Sequence, residues 1–252
     1  MDFLNVRTSA GEFGVVGRRS FDRPRPCLLI VGGAFPPNGY MHEHIKAFPG
    51  ANVVVSNLPG MGTPWSPAEV PALTAGLQEV AGWLFADLPL VVFGVSTGAL
   101  LALGFKAPNL VRTVVLEPFL QTGNLWPFIA DSRARLERYN HRPAIVSFLW
   151  TVFGIGATTL ENRDYRYLAQ GLSVPTDVIL GGMPLLPERP LPAWPSFASD
   201  EDRAAFRRNP LATLHEGPPD AGHGYGSVPG SGKQVVHGVL AAALAEAARA
   251  CG

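Results

Sequence analysis

The segment Gly94-Val95-Ser96-Thr97-Gly98 sets a serine between two glycines, each two residues away. A serine hydroxyl becomes a useful nucleophile near neutral pH only when a base stands beside it. Six histidines are available: His42, His44, His141, His215, His223 and His237. His223 lies in Asp220-Ala221-Gly222-His223-Gly224-Tyr225-Gly226, just after the strand-like segment 212–216. Glycines on both sides let such a loop bring an imidazole over the edge of a sheet. Ser96 and His223 together would support attack on a carbonyl and transfer of its acyl group to the serine oxygen. A G-x-S-x-G match alone is also what a glycine-lined turn with an incidental serine gives. The setting separates the two. The motif directly follows the apolar run Leu88-Pro89-Leu90-Val91-Val92-Phe93 and directly precedes the helix-like stretch 99–105. A strand-to-helix turn this sharp strains the serine, leaves its hydroxyl exposed and puts a helix N-terminus where negative charge develops.

The elements that position these residues alternate. Residues 3–8 and 13–18 read as a hairpin. Cys27–Val31 (CLLIV), 51–56, 88–93, 111–116 and 176–180 read as strands, several of them continuous apolar runs. Helical spacing predicts helices around 72–85 and 233–250. Strands alternating with helices imply a parallel or mixed sheet covered on both faces, with ligands bound at the carboxyl ends of its strands. Residues 121–173 break the alternation. They hold aromatic residues among helix-forming stretches and lie between two strands, which predicts an inserted helical cap. Such a segment is either a lid over the site or extra packing helices.

The chain has 252 residues, 47% apolar and 16% charged, with a formal net charge of zero. That length suits one domain with an insertion. The balanced charge gives no footprint for nucleic acid. No run of eighteen apolar residues is present, so no membrane insertion is expected. The first residues carry no basic stretch followed by an apolar one, which predicts no signal peptide and makes the cytoplasm the default location. The two cysteines, Cys27 and Cys251, form no metal-ligand spacing, and a disulfide between them is not expected. No metal or organic cofactor is expected.

At these motifs the chain resembles the α/β-hydrolase fold superfamily. The likeness rests on four places in order: Val31-Gly32-Gly33-Ala34-Phe35, Asn57-Leu58-Pro59-Gly60-Met61-Gly62, the turn at Ser96, and Ala221-Gly222-His223-Gly224. In the second, Asn57 stands where the superfamily's turn has aspartate. The resemblance implies a mostly parallel sheet of the eight-stranded type with helices on both faces and an inserted helical cap. The core is then 1–120 and 174–252, and the cap is 121–173. It also implies an oxyanion hole made by the N–H of Thr97 and that of Gly33 or Ala34. Phe35, Trp126, Phe128, Trp150 and Phe153 are the candidate walls of an apolar substrate pocket.

A triad needs a carboxylate to hold the imidazole tautomer. Many members place it after the strand before the histidine loop, but Thr176-Asp177-Val178-Ile179-Leu180-Gly181-Gly182 carries none at its carboxyl end. Asp177 would lie at the wrong end of the sheet. Glu117 closes the preceding strand, and its surroundings look like those in haloalkane dehalogenases, a branch whose acid occupies this strand end. Glu117 is therefore the expected acid, with Glu188 and Asp202 as alternatives. That branch has an aspartate nucleophile where Ser96 stands, so dehalogenation is not carried over. The expected function is hydrolysis of an ester or thioester of a small, largely apolar molecule. The same residues would serve C–C bond hydrolysis, lactone opening, acyl transfer or cyclisation, and the fold also supports non-catalytic ligand binding. His237 is expected to face solvent or pack within the last helix, and His42 and His44, which follow the oxyanion loop, either to line the pocket or to form a solvated helix start.

Overall fold

Every residue of β3 (Cys27–Val31) and β5 (Leu90–Val95) is buried. Their side chains alternate between two cores. Leu28, Ile30, Val91, Phe93 and Val95 fill one face of the sheet. Cys27, Leu29, Val31, Leu90 and Val92 fill the other. A strand covered on both sides has no polar face to display, so its sequence reads as a continuous apolar run. The computed structural model describes residues 2–17, 22, 24–34, 42–60, 63, 68–126, 143–156, 158–186, 194–225 and 231–251.

The sheet has eight strands in the order β1-β2-β4-β3-β5-β6-β7-β8. β1 (Asp2–Thr8) and β2 (Gly11–Gly17) form an antiparallel hairpin, and β2 pairs antiparallel with β4 (Asn52–Asn57). From β4 onward, through β6 (Leu110–Leu116), β7 (Thr176–Leu180) and β8 (Ala212–Glu216), all pairing is parallel.

One face is covered by α2 (Val70–Phe85) and α3 (Thr97–Gly104). In α2, Val70, Leu73, Leu77, Val80 and Ala81 fall on one stripe at helical spacing and are buried. The other face takes α1 (His42–Ala47) and the last helix, Ser231–Arg249. There Val236, Leu240, Ala243, Leu244 and Ala247 make the buried stripe. Each large apolar side chain so buried contributes about 2 kcal/mol.

Between β6 and β7 lie a 3-10 turn (Thr122–Leu125), α4 (Pro143–Phe153) and α5 (Arg166–Gln170). Phe148, Leu149, Val152 and Phe153 of α4 join the core that α2 and α3 share. The Tyr165 hydroxyl donates to the Val152 carbonyl at 2.8 Å and ties α4 to the chain leading into α5. Residues 127–142, nearly a third of the expected cap, lie outside the described residues. The helix Asp200–Arg207, α6, precedes β8, and the last helix is α7.

On the outer strands, Asp177 on β7 accepts from Arg112 Nε of β6 at 2.6 Å and lies 2.8 Å from His215 Nε2 of β8. Arg112 also reaches Glu246 of α7 at 2.6 Å. This polar set fastens three strands and a helix. No helix among the described residues is long and apolar enough to cross a membrane.

Candidate active site

Ser96 stands between β5 and α3 with φ 54° and ψ −115°. A side chain there is strained, and the surroundings must hold it. Gly94 and Gly98 make the holding feasible. A Cβ at Gly94 would collide with the Gly98 carbonyl oxygen and with Ala102, and one at Gly98 with the carbonyl oxygens of Val31 and Gly32. The helix therefore leaves the strand at van der Waals contact with its neighbour, and only glycine fits. The main-chain N–H of Ser96 donates to Leu116 O at 2.9 Å.

Glu117 follows directly at the end of β6. Its N–H donates to Ile179 O of β7 at 2.9 Å, its φ is 52°, and its side chain is fully buried. A buried carboxylate is costly unless its oxygens are hydrogen-bonded. Here Oε1 accepts the N–H of Gly181, and Oε2 accepts the Ser196 hydroxyl at 3.0 Å.

His223 sits in the loop after β8. Its main-chain N–H reaches the carbonyls of Pro195 at 3.1 Å and Trp194 at 3.3 Å, and its ring lies 4.3 Å from that of Phe197. Nε2 is 3.2 Å from Ser96 Oγ, and Nδ1 is 3.3 Å from Glu117 Oε2. Three side chains separated by 127 and 106 residues thus form one hydrogen-bonded line. Such a line can pass a proton from the hydroxyl to the imidazole while the carboxylate holds the other ring nitrogen.

Thr97 opens α3 and is buried, so its N–H belongs to the first turn, whose amides have no partner within the helix. Gly33 comes close to the nucleophile: a Cβ built there would lie 3.3 Å from Ser96 Cβ. Ala34, half-buried, follows it. Phe35 and Phe128 lie outside the described residues, as does Glu188.

The pocket candidates on α4 depart from expectation. Trp150 is 39% exposed, with Arg163 stacked 5.1 Å over its ring. Phe153 is buried and stacks on Phe119 at 5.4 Å. The helical phase explains both: 148, 149, 152 and 153 share the inner face, and 150 falls opposite. Trp126 is half-buried and donates its indole N–H to Phe153 O at 3.4 Å.

Asp202 is not near His223 in any hydrogen bond. It caps α6, accepting from Ser199 N at 3.0 Å and from Asn124 Nδ2 at 3.2 Å. Burial raises its carboxyl above the ordinary carboxylate range, against the lowering effect of the Ser199 bonds. His44 is buried rather than solvated. It packs edge-on against His237 at 5.2 Å and Phe93 at 5.7 Å, and burial lowers its pKa to about 4. The register of the short α1, which turns His44 and Ile45 inward, is what the polar sequence HEHIK concealed.

The residues missed in the sequence are Ser196 and Phe197. Neither belongs to a motif, and both reach the site only because the segment 194–199 crosses the histidine loop. A cavity of about 690 Å³ lies beside them, lined among others by Asn124, Leu185, Ala198, Arg203 and Glu216. Neither Ser96 nor His223 lines it. Among the described residues no three His, Cys, Asp or Glu side chains gather as a metal site, and both cysteines are free.

Strand order, sharp turn and loop positions define the α/β-hydrolase fold. The structure matches an esterase from Thermogutta terrifontis with TM-score 0.65 at 17% identity, covering 98% of this chain and 99% of that one. An enol-lactonase from Burkholderia xenovorans LB400 matches with TM-score 0.63 at 16% identity, covering 96% and 100%. The carboxylesterase CesB from Bacillus subtilis matches with TM-score 0.65 at 16% identity, covering 96% and 91%. At these identities the likeness is one of fold. No protein-family model and no curated relative matches the sequence.

Proposed function

We propose that the protein is a serine hydrolase that cleaves a carboxylic ester or thioester of a small, largely apolar molecule through an acyl-enzyme on Ser96. The observation that carries the reading is the pair of contacts made by His223, 3.2 Å to Ser96 Oγ and 3.3 Å to Glu117 Oε2. In this reading Nε2 accepts the serine proton as Oγ adds to the carbonyl carbon. The negative charge that develops on the carbonyl oxygen is held by the N–H of Thr97 and that of Gly33 or Ala34, each worth a few kcal/mol. The imidazolium then gives its proton to the departing alkoxide or thiolate. Water, deprotonated by the same nitrogen, adds to the acyl carbon and frees Ser96. Glu117 keeps Nδ1 protonated and stabilises the imidazolium between steps.

The test is a series of p-nitrophenyl esters of rising chain length. Turnover that prefers short to medium acyl chains and is abolished by Ser96→Ala supports the proposal. Equal turnover by the Ser96→Ala protein, or none by the folded unsubstituted protein, removes it.

A further inference from the structure

We propose that Ser196 is a positioning residue for the acid, acting through Glu117 on His223. The inference rests on the reading of Ser96, His223 and Glu117 as a catalytic triad. It starts from the number of donors that meet one buried carboxylate. Glu117 has no exposed surface and sits at a φ of 52°, a backbone conformation that glutamate seldom adopts. Its Oε1 is taken by the N–H of Gly181. Its Oε2 is shared between the Ser196 hydroxyl, at 3.0 Å, and His223 Nδ1, at 3.3 Å.

A carboxylate only accepts, so the Ser196 hydroxyl must donate. Ser196 is itself fully buried, and its N–H is pinned to Met183 O at 3.1 Å. The donor is therefore fixed in place before any substrate arrives. Its immediate neighbours grip the base: the carbonyls of Trp194 and Pro195 accept from the His223 N–H, and the Phe197 ring lies against the imidazole. Of four successive residues, Ser196 thus touches the acid, and Trp194, Pro195 and Phe197 touch the base.

Two consequences follow from sharing Oε2. The carboxylate is held in the rotamer that faces Nδ1. Part of its charge is also spent on the hydroxyl, so the imidazolium that forms during turnover is stabilised less than it would be by an unshared oxygen. With the hydroxyl removed, Oε2 holds the protonated ring more tightly. Loss of the base to protonation then begins at higher pH, and the rotamer is less well defined.

The experiment measures the rate at which a fluorophosphonate labels the folded protein and its Ser196→Ala variant, from about pH 5 to about pH 9. The variant is expected to show a plateau about tenfold lower. Its acid limb is expected about half a pH unit higher, with the melting temperature lowered by a few degrees because a buried hydrogen bond is lost. Ser196→Cys, which keeps the volume but donates weakly, is expected to behave the same way and stands in if the alanine variant does not fold. Superimposable profiles overturn the inference while leaving the triad intact. A lower plateau with an unmoved acid limb overturns it too, because that is what loosened packing alone gives. Absence of labelling in the unsubstituted protein removes the triad reading, and this inference with it.

Discussion

The main-chain N–H of Ser96 donates to the carbonyl of Leu116 at 2.9 Å, so the strained turn is tied to the strand end one residue before Glu117. The next rung does the same for the acid, whose N–H donates to Ile179 O at 2.9 Å. A third rung runs from Gly217 N–H to Leu180 O at 2.7 Å, where the histidine loop leaves β8. The separation of hydroxyl, carboxylate and loop is therefore set by the sheet ladder. Only His223 hangs on an irregular segment, and there the 194–197 strap holds it.

Glu117→Gln keeps the shape of the side chain but offers Nδ1 an amide in place of a carboxylate, which favours the wrong tautomer. A fall in kcat of about 10³ to 10⁴ is expected on p-nitrophenyl esters, with KM little changed. Asp202→Asn and Glu188→Gln are expected to leave kcat within about threefold. If either of these two proteins loses more activity than Glu117→Gln, the assignment of the acid is wrong.

His44 carries a pH dependence of stability. Burial, aided by the nearby His237 and Lys233 and opposed by Glu43, lowers its pKa in the folded protein from 6.5 to about 4. Between those two values the unfolded chain binds a proton that the folded chain refuses, so stability present above about pH 6.5 is lost as the pH falls towards about 4. The loss is about 3 kcal/mol when complete. Denaturant titrations over this range are expected to show a shallower decline for His44→Leu than for the unsubstituted protein. Equal slopes would mean that the imidazole reaches water when folded.

Trp150 and Phe153 separate surface from core on one helix. Phe153→Ala removes a ring stacked on Phe119 and is expected to cost about 3 to 5 kcal/mol of stability. Trp150→Ala, which removes a half-exposed ring, is expected to cost under about 1 kcal/mol and to change kcat/KM by less than about threefold. A large rise in KM for Trp150→Ala alone would put that indole against the substrate.

The buried strands, the turn at Ser96 and the glycine-flanked His223 were legible because each states its environment locally. A strand covered on both faces has to be apolar throughout, and a strand-to-helix turn this tight has to carry glycine. The position of Glu117 at a strand end was legible as a charged residue closing an apolar run, while its choice as the acid leaned on the likeness to haloalkane dehalogenases. Ser196 was not legible, since a serine in a proline-rich stretch says nothing of the carboxylate 79 positions earlier that it meets. His44 misled for a related reason. It sits on a helix whose rotation about its own axis is decided by packing partners distant in sequence.

The central claim is most directly tested by mapping a fluorophosphonate adduct by mass spectrometry. A single adduct on the peptide that contains Ser96, absent from Ser96→Ala and formed at least about a hundredfold more slowly in His223→Ala, is the predicted result. An adduct elsewhere, or labelling at an unchanged rate without His223, would contradict it.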